Sequence, residues 1–140
     1  MREILFRGKC NKTCKYNGQW IEGFYGEDDG KSIIAHSTDR GLIGYFCDPD
    51  SIGQYTGLTD KNGKKIFEGD IIKIVPDYDY SDDYIISKVY SYNGISCVDY
   101  HGDDFDSTAL GFLDDYLPDG DFEVIGNIHD NPELLEVVEE

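Results

Sequence analysis

Short apolar runs alternate with glycine-containing turns along most of this chain. Ile52-Gly-Gln-Tyr-Thr-Gly-Leu58, Thr59-Asp-Lys-Asn-Gly-Lys-Lys65 and Ile66-Phe-Glu-Gly-Asp-Ile-Ile-Lys-Ile-Val75 read as strand, tight turn, short strand, Gly-Asp turn and strand. The same rhythm predicts strands over Arg2–Arg7, Trp20–Tyr25, Lys31–Ser37, Gly41–Cys47, Ile85–Tyr92, Ile95–Tyr100 and Phe122–Ile128. Asn17-Gly18, Asn62-Gly63 and Asn93-Gly94 each lie between apolar runs. Asn and Gly both tolerate the positive φ of a type I′ turn, so each pair predicts a hairpin. In Trp20–Tyr25, alternation puts Trp20, Glu22 and Phe24 on one face and Ile21 and Tyr25 on the other, which predicts a strand covered on both sides.

Two segments depart from this pattern. Pro76 to Tyr84 is rich in Asp and Tyr and reads as a solvated loop, because Pro ends strand pairing. Ser107 to Tyr116 reads as a short helix capped by Ser107 or Thr108, with Leu110, Leu113 and Leu117 at helical spacing. Asn131-Pro132 predicts a second short helix carrying Leu134, Leu135 and Val138. The expected fold is mainly β: antiparallel hairpins forming a barrel-like or half-barrel sheet, a short helix near 107–117 and a short C-terminal helix. No repeat or linker divides the sequence, so residues 1–140 are expected to form a single domain.

Composition strengthens the β reading. Fifteen Ile, six Val and five Thr stand against two Ala and one Met, a balance that suits pleated sheets better than helices. Hydrophobic residues at 39% and eleven Tyr are enough for a packed core despite the charge.

The charge narrows the partners. At −17 the chain would be repelled by phosphate backbones and by anionic membranes, and its acidity reads first as solubility. A sharper reading is an acidic mimic that sequesters a basic host protein. Met1–Arg7 lacks the apolar core of a signal peptide, and no apolar run approaches the ~18 residues of a membrane span. The expected location is therefore the cytoplasm of the cell that makes the chain, with the four Cys as thiols.

Candidate chemistry is sparse. Cys10 and Cys14 form a single Cys-x3-Cys knuckle, a weak metal candidate because structural zinc sites pair two such knuckles. Cys47 and Cys97 stand alone and read as small buried hydrophobes, leaving His36 as the one strand-borne supplement. The acidic clusters Asp103–Asp106 and Asp119–Glu123 lack EF-hand order. His36, His101 and His129 accompany no hydrolase, nucleotide or zinc-protease motif, so neither an enzyme nor a cofactor is expected. Lys61, Lys64, Lys65 and Lys73 gather near Asn62-Gly63, where lysines ordinarily guard a strand edge. Tyr78, Tyr80 and Tyr84, set among acids, are the candidate interface residues, since Tyr adds contact area at low entropic cost.

Several of these stretches carry a family resemblance: Met-Arg-Glu-Ile at the start, Gly-Gln-Tyr-Thr-Gly-Leu, Asp-Lys-Asn-Gly-Lys, Phe-Glu-Gly-Asp-Ile-Ile, and Val-Ile-Gly-Asn-Ile followed by Asn-Pro-Glu-Leu-Leu. Together they resemble the YopX-like proteins encoded by phages and prophages of Gram-positive bacteria. The resemblance implies a mainly β fold, phage origin and a homo-oligomer, and supplies no catalytic residue to carry over. The expected role is a non-enzymatic accessory protein that works through protein–protein contact and self-assembly, with a phage or host protein as partner. The rivals are the acidic mimic and a nucleic-acid-associated barrel, since Gly-Asp-Ile-Ile-Lys entering a strand resembles SH3-like barrels.

Overall fold

β-branched and aromatic runs become strands and the glycines between them become turns in the computed structural model of the chain, which describes residues 4–11, 15–75, 84–92, 94–99, 108–110 and 121–136. The chain forms two compact units, Met1–Tyr55 and Thr56–Glu140, and passes from one to the other inside a single strand.

The first unit is an antiparallel meander of β1 (Phe6–Lys9), β2 (Trp20–Asp28), β3 (Lys31–Thr38) and β4 (Gly41–Phe46), followed by a 3₁₀ turn at Pro49–Ser51. The strands lie in the order β4-β3-β2-β1, with the start of β5 (Gly53–Thr59) beside β1. β2 and β3 join through Asp29-Gly30, whose φ angles of 55° and 78° are those of a type I′ loop.

β1 extends through Gly8 and Lys9, past the strand end expected at Arg7. Gly8 permits this: a Cβ there would stand 2.6 Å from Ile52 Cδ1 and 3.0 Å from Cys47 Cβ. Asn17-Gly18 is a turn, but it ends a longer connection in which Cys10 N–H donates to Gln19 O at 2.9 Å and Gly18 N–H to Cys10 O at 3.0 Å.

The sheet also curls. Past the ends of β1 and β4, Cys10 and Cys47 form an isolated antiparallel bridge, so the two outer strands of the meander meet at one end. The expectation that β2 is covered on both faces does not hold: Phe24 is 57% exposed and Tyr25 40%. β1 accompanies β2 only as far as Gly23, so the second half of β2 runs past it with β3 alone alongside.

The second unit contains the rest of β5, then β6 (Lys65–Phe67), β7 (Asp70–Val75), β8 (Ile85–Lys88), β9 (Tyr90–Tyr92), β10 (Ile95–Val98), β11 (Thr108–Ala109), β12 (Asp121–Asn127) and a one-turn helix α1 (Glu133–Glu136). β6 lies beside β5, and two further antiparallel sheets have the orders β12-β7-β8 and β11-β10-β9. Among the described residues none of these sheets closes into a barrel. β7 is the central strand of its sheet, which is why Ile71, Ile72 and Ile74 are all fully buried and its sequence reads as a nearly continuous apolar run. Ile66, Ile72, Ile74, Val89, Val98, Leu110 and Phe122 form the core.

The hairpin at Asn62-Gly63 is not type I′. Among the described residues Asp29 is the one non-glycine with positive φ, so only Gly63, at 83°, is left-handed here. Gly63 N–H donates to Asp60 O at 3.0 Å and Asp60 N–H to Lys64 O at 2.8 Å, the pattern of a type I turn closed by a left-handed glycine. The Asp60 side chain selects it by accepting both Asn62 N–H and Lys64 N–H at 2.9 Å.

The strand expected over Ile85–Tyr92 divides at Val89, whose N–H and C=O bond Asp70 O and Gly69 N–H. Thr108 is not a helix cap but part of β11, opposite Val98; position 107 and positions 111–117 of the expected helix lie outside the described residues. At the C-terminus, Leu134 N–H donates to Asn131 O at 3.0 Å, while the Asn131 side chain accepts Asn127 N–H at 3.2 Å instead of capping α1. No helix among the described residues is long and apolar enough to cross a membrane.

Candidate interaction surfaces

Strand register in the first unit sorts side chains onto two faces. Phe24 lies opposite Ala35 and Ala35 opposite Gly44, while Ile33 lies opposite Phe46 and Ser37 opposite Leu42. Since side chains alternate along a strand, Phe24, Ile33, Ala35, Leu42 and Phe46 share one face. The opposite face carries Ile34, which is fully buried, with Gly8 and Cys47 packed together nearby. The centre of the first face is apolar and open, with Leu42 68% exposed and Phe24 57%, while Glu22, Asp28, Lys31 and Ser37 lie on the same face around it. Gly26 and Gly44 lower its relief, with Gly44 exposed and Ile33 Cδ1 3.4 Å from where its Cβ would be.

β4 is the outer strand of this sheet, and Gly41-Leu-Ile-Gly-Tyr-Phe46 contains neither a charge nor a proline, the usual guards of a strand edge. Sequence reasoning did not single out Phe24, Leu42 or Ile43. The available signal was the adjacent Leu42-Ile43 pair between glycines, with no charge to keep it soluble.

Cations and aromatics frame the sheet. Arg7 Cζ stands 4.7 Å over the Trp20 ring and Lys31 Nζ 5.7 Å from the Phe46 ring. Phe6 meets Tyr25 with ring centroids 5.7 Å apart. His36, considered as a metal supplement, stacks on Tyr45 at 5.5 Å, and Tyr16 meets the same Tyr45 edge-on at 5.6 Å. Cys10, buried, faces Cys47, and Cys14 lies outside the described residues. Among the described residues no three His, Cys, Asp or Glu side chains converge as a metal site.

In the second unit, Tyr84 is 53% exposed, with Lys73 Nζ 4.8 Å over its ring; Tyr78 and Tyr80 lie outside the described residues. Tyr92 and Ile95, opposite one another at the end of β9 and β10, are also exposed. Of the basic residues near Asn62, Lys61 Nζ pairs with Glu123 Oε1 at 3.7 Å, and Lys64 lies beside Asp60. Their positive charge is therefore partly answered within the unit.

Asp60 organises that corner. It is 6% exposed, and besides the two hairpin bonds its Oδ2 accepts Val124 N–H at 3.0 Å. Burial pushes its pKa up, but the N–H groups of Val124, Lys64 and Asn62, with the Lys64 charge, outweigh burial and hold it below the ordinary value. Burial raises the Cys97 thiol, and the Asp99 charge adds to the rise. Cys97 Sγ is turned toward Ile95 O at 3.4 Å, consistent with a small buried hydrophobe.

The YopX protein family matches over residues 5–136. Two solved structures have the same fold. The yopX protein of Bacillus subtilis superposes with a TM-score of 0.59 at 20% identity, over 96% of this chain and 98% of that one. Protein EF1440 of Enterococcus faecalis gives 0.56 at 24% identity, over 96% and 99%. No curated protein matches.

Proposed function

The chain belongs to the YopX protein family, and from that premise we propose that it is a non-enzymatic accessory protein of a phage or prophage, acting by protein–protein contact and assembling with copies of itself. The observation that supports this reading is the open apolar face of the first unit, with Phe24 and Leu42 more than half exposed beside an uncharged outer strand. Large apolar side chains exposed on one sheet face are ordinarily covered by a partner.

A second copy fits it chemically. Two β4 strands related by a two-fold axis would pair antiparallel, each supplying the same uncharged edge to the other, and each Leu42 would gain apolar neighbours from the partner sheet. The charge of −17 opposes close approach of two copies, and β4, free of charge from Gly41 to Phe46, adds nothing to that repulsion.

Light scattering on the purified chain tests the proposal. The expected mass is a multiple of 15.9 kDa, rising with ionic strength as salt screens the repulsion. A mass of one chain at every concentration and salt would overturn self-assembly.

A second reading, the acidic mimic, draws on the net charge itself. It predicts capture of one basic host protein from lysate at low salt and its release at high salt. Recovery of the bait alone counts against it.

A further inference from the structure

Cys10 and Cys47 lie thirty-seven positions apart in the sequence, and the curl of the first unit brings them face to face in an isolated antiparallel bridge. The bonds flanking the pair are Asn11 N–H to Phe46 O at 3.1 Å and Asp48 N–H to Lys9 O at 2.9 Å. The N–H groups of the cysteines themselves point elsewhere, Cys10 to Gln19 O at 2.9 Å and Cys47 to Ser32 O at 3.0 Å. This is the pattern of a non-hydrogen-bonded antiparallel pair, in which the Cα atoms stand ~4.5 Å apart and both side chains leave the same face.

Disulfides span Cα separations of about 4.4–6.8 Å, so the backbone is already within range of a bond. Gly8, two residues before Cys10, keeps the space beside the pair clear: a Cβ there would lie 3.1 Å from Cys47 Sγ. Both residues are thiols here, each 1% exposed.

We propose that Cys10 and Cys47 are a redox site, joined by a low-molecular-weight disulfide such as oxidised glutathione into a cross-strand disulfide that clasps the two outer strands of the meander. One cysteine thiolate attacks a sulfur of the small disulfide, forming a mixed disulfide and releasing one small thiolate. The other cysteine thiolate then attacks the protein sulfur of that mixed disulfide and displaces the second. Two protein thiols lose two electrons and two protons, and the small disulfide is reduced to two thiols.

The burial of both residues requires the bridge to open before the first attack. The bridge is a single pair at the ends of β1 and β4, so opening it leaves the four-strand pairing intact. The site therefore stays reduced in a thiol-rich compartment and responds when the disulfide pool grows.

The full chain carrying Cys14→Ser, which removes the nearest competing thiol in sequence, is equilibrated in glutathione buffers of increasing oxidised fraction, acid-quenched, alkylated and digested for mass spectrometry. The expected product is a peptide linking Cys10 to Cys47, with a melting temperature raised on oxidation and restored by dithiothreitol. Cys47→Ser in the same background should lose both the link and the shift, and accumulate glutathione on Cys10. Two results overturn the proposal: singly glutathionylated or alkylated Cys10 and Cys47 at the most oxidising ratio, or a link that forms only in urea and is absent from the folded chain.

Discussion

Asp60 Oδ2 accepts the backbone N–H of Val124 at 3.0 Å, sixty-four positions further along the chain, and so ties the Asp60–Lys64 hairpin to β12. Since the same carboxylate closes the turn through Asn62 and Lys64, one ionised side chain holds both local and distant structure. Its folded pKa lies below the ordinary 3.8, so its contribution is present above that value and is lost as pH falls through the lower, folded one. Asp60→Asn places an amide NH₂ where an acceptor is needed and should cost about 1–3 kcal/mol at pH 7. Urea titrations from pH 7 downward should show the wild type and this variant converging below pH 3.8. A gap that persists unchanged in acid would mean the charge is not what the turn uses.

Gly126 has a steric reason to be glycine. A Cβ there would lie 2.6 Å from Asn131 Oδ1 and 2.9 Å from Leu134 Cδ1. Gly126→Ala should destabilise by about 1–3 kcal/mol, as overpacking does. Adding Asn131→Ala should recover part of that loss, a non-additivity that a double-mutant cycle measures.

The two glycine turns make opposite predictions for their first residues. Asp29 holds φ at 55° without being glycine, so Asp29→Gly should be neutral or stabilising by up to ~1 kcal/mol. Asn62 does not occupy that region, so Asn62→Gly should destabilise by about 0.5–1 kcal/mol by loosening the unfolded chain. Paired thermal melts decide between the two turn types.

Leu42, 68% exposed, separates assembly from folding. Leu42→Asp should change stability by less than about 0.5 kcal/mol, as exposed substitutions do, while lowering the scattering mass toward that of one chain. An unchanged mass would place the contact elsewhere, with exposed Tyr92 and Ile95 of the second unit next to be tried.

What the sequence by itself determined was local. Apolar runs rich in Ile, Tyr and Phe became strands, and Gly63 and Gly94 turn the chain with φ of 83° and 80°, because backbone preference and pleat alternation act over a few residues. It could also identify the family, since the glycines and Asp residues of the central motif stand in order. It named the correct hairpin at Asn62 but the wrong turn, because the choice rested on whether the Asp60 carboxylate turned inward onto two N–H groups. Tertiary structure alone decided that Cys10 would meet Cys47, that Asp60 would reach Val124, and that the face bearing Phe24 and Leu42 would stay open. Each depends on how far one strand runs past its neighbour and how strongly a sheet curls. Those are sums of pairings between distant residues, which alternation within a single strand does not contain.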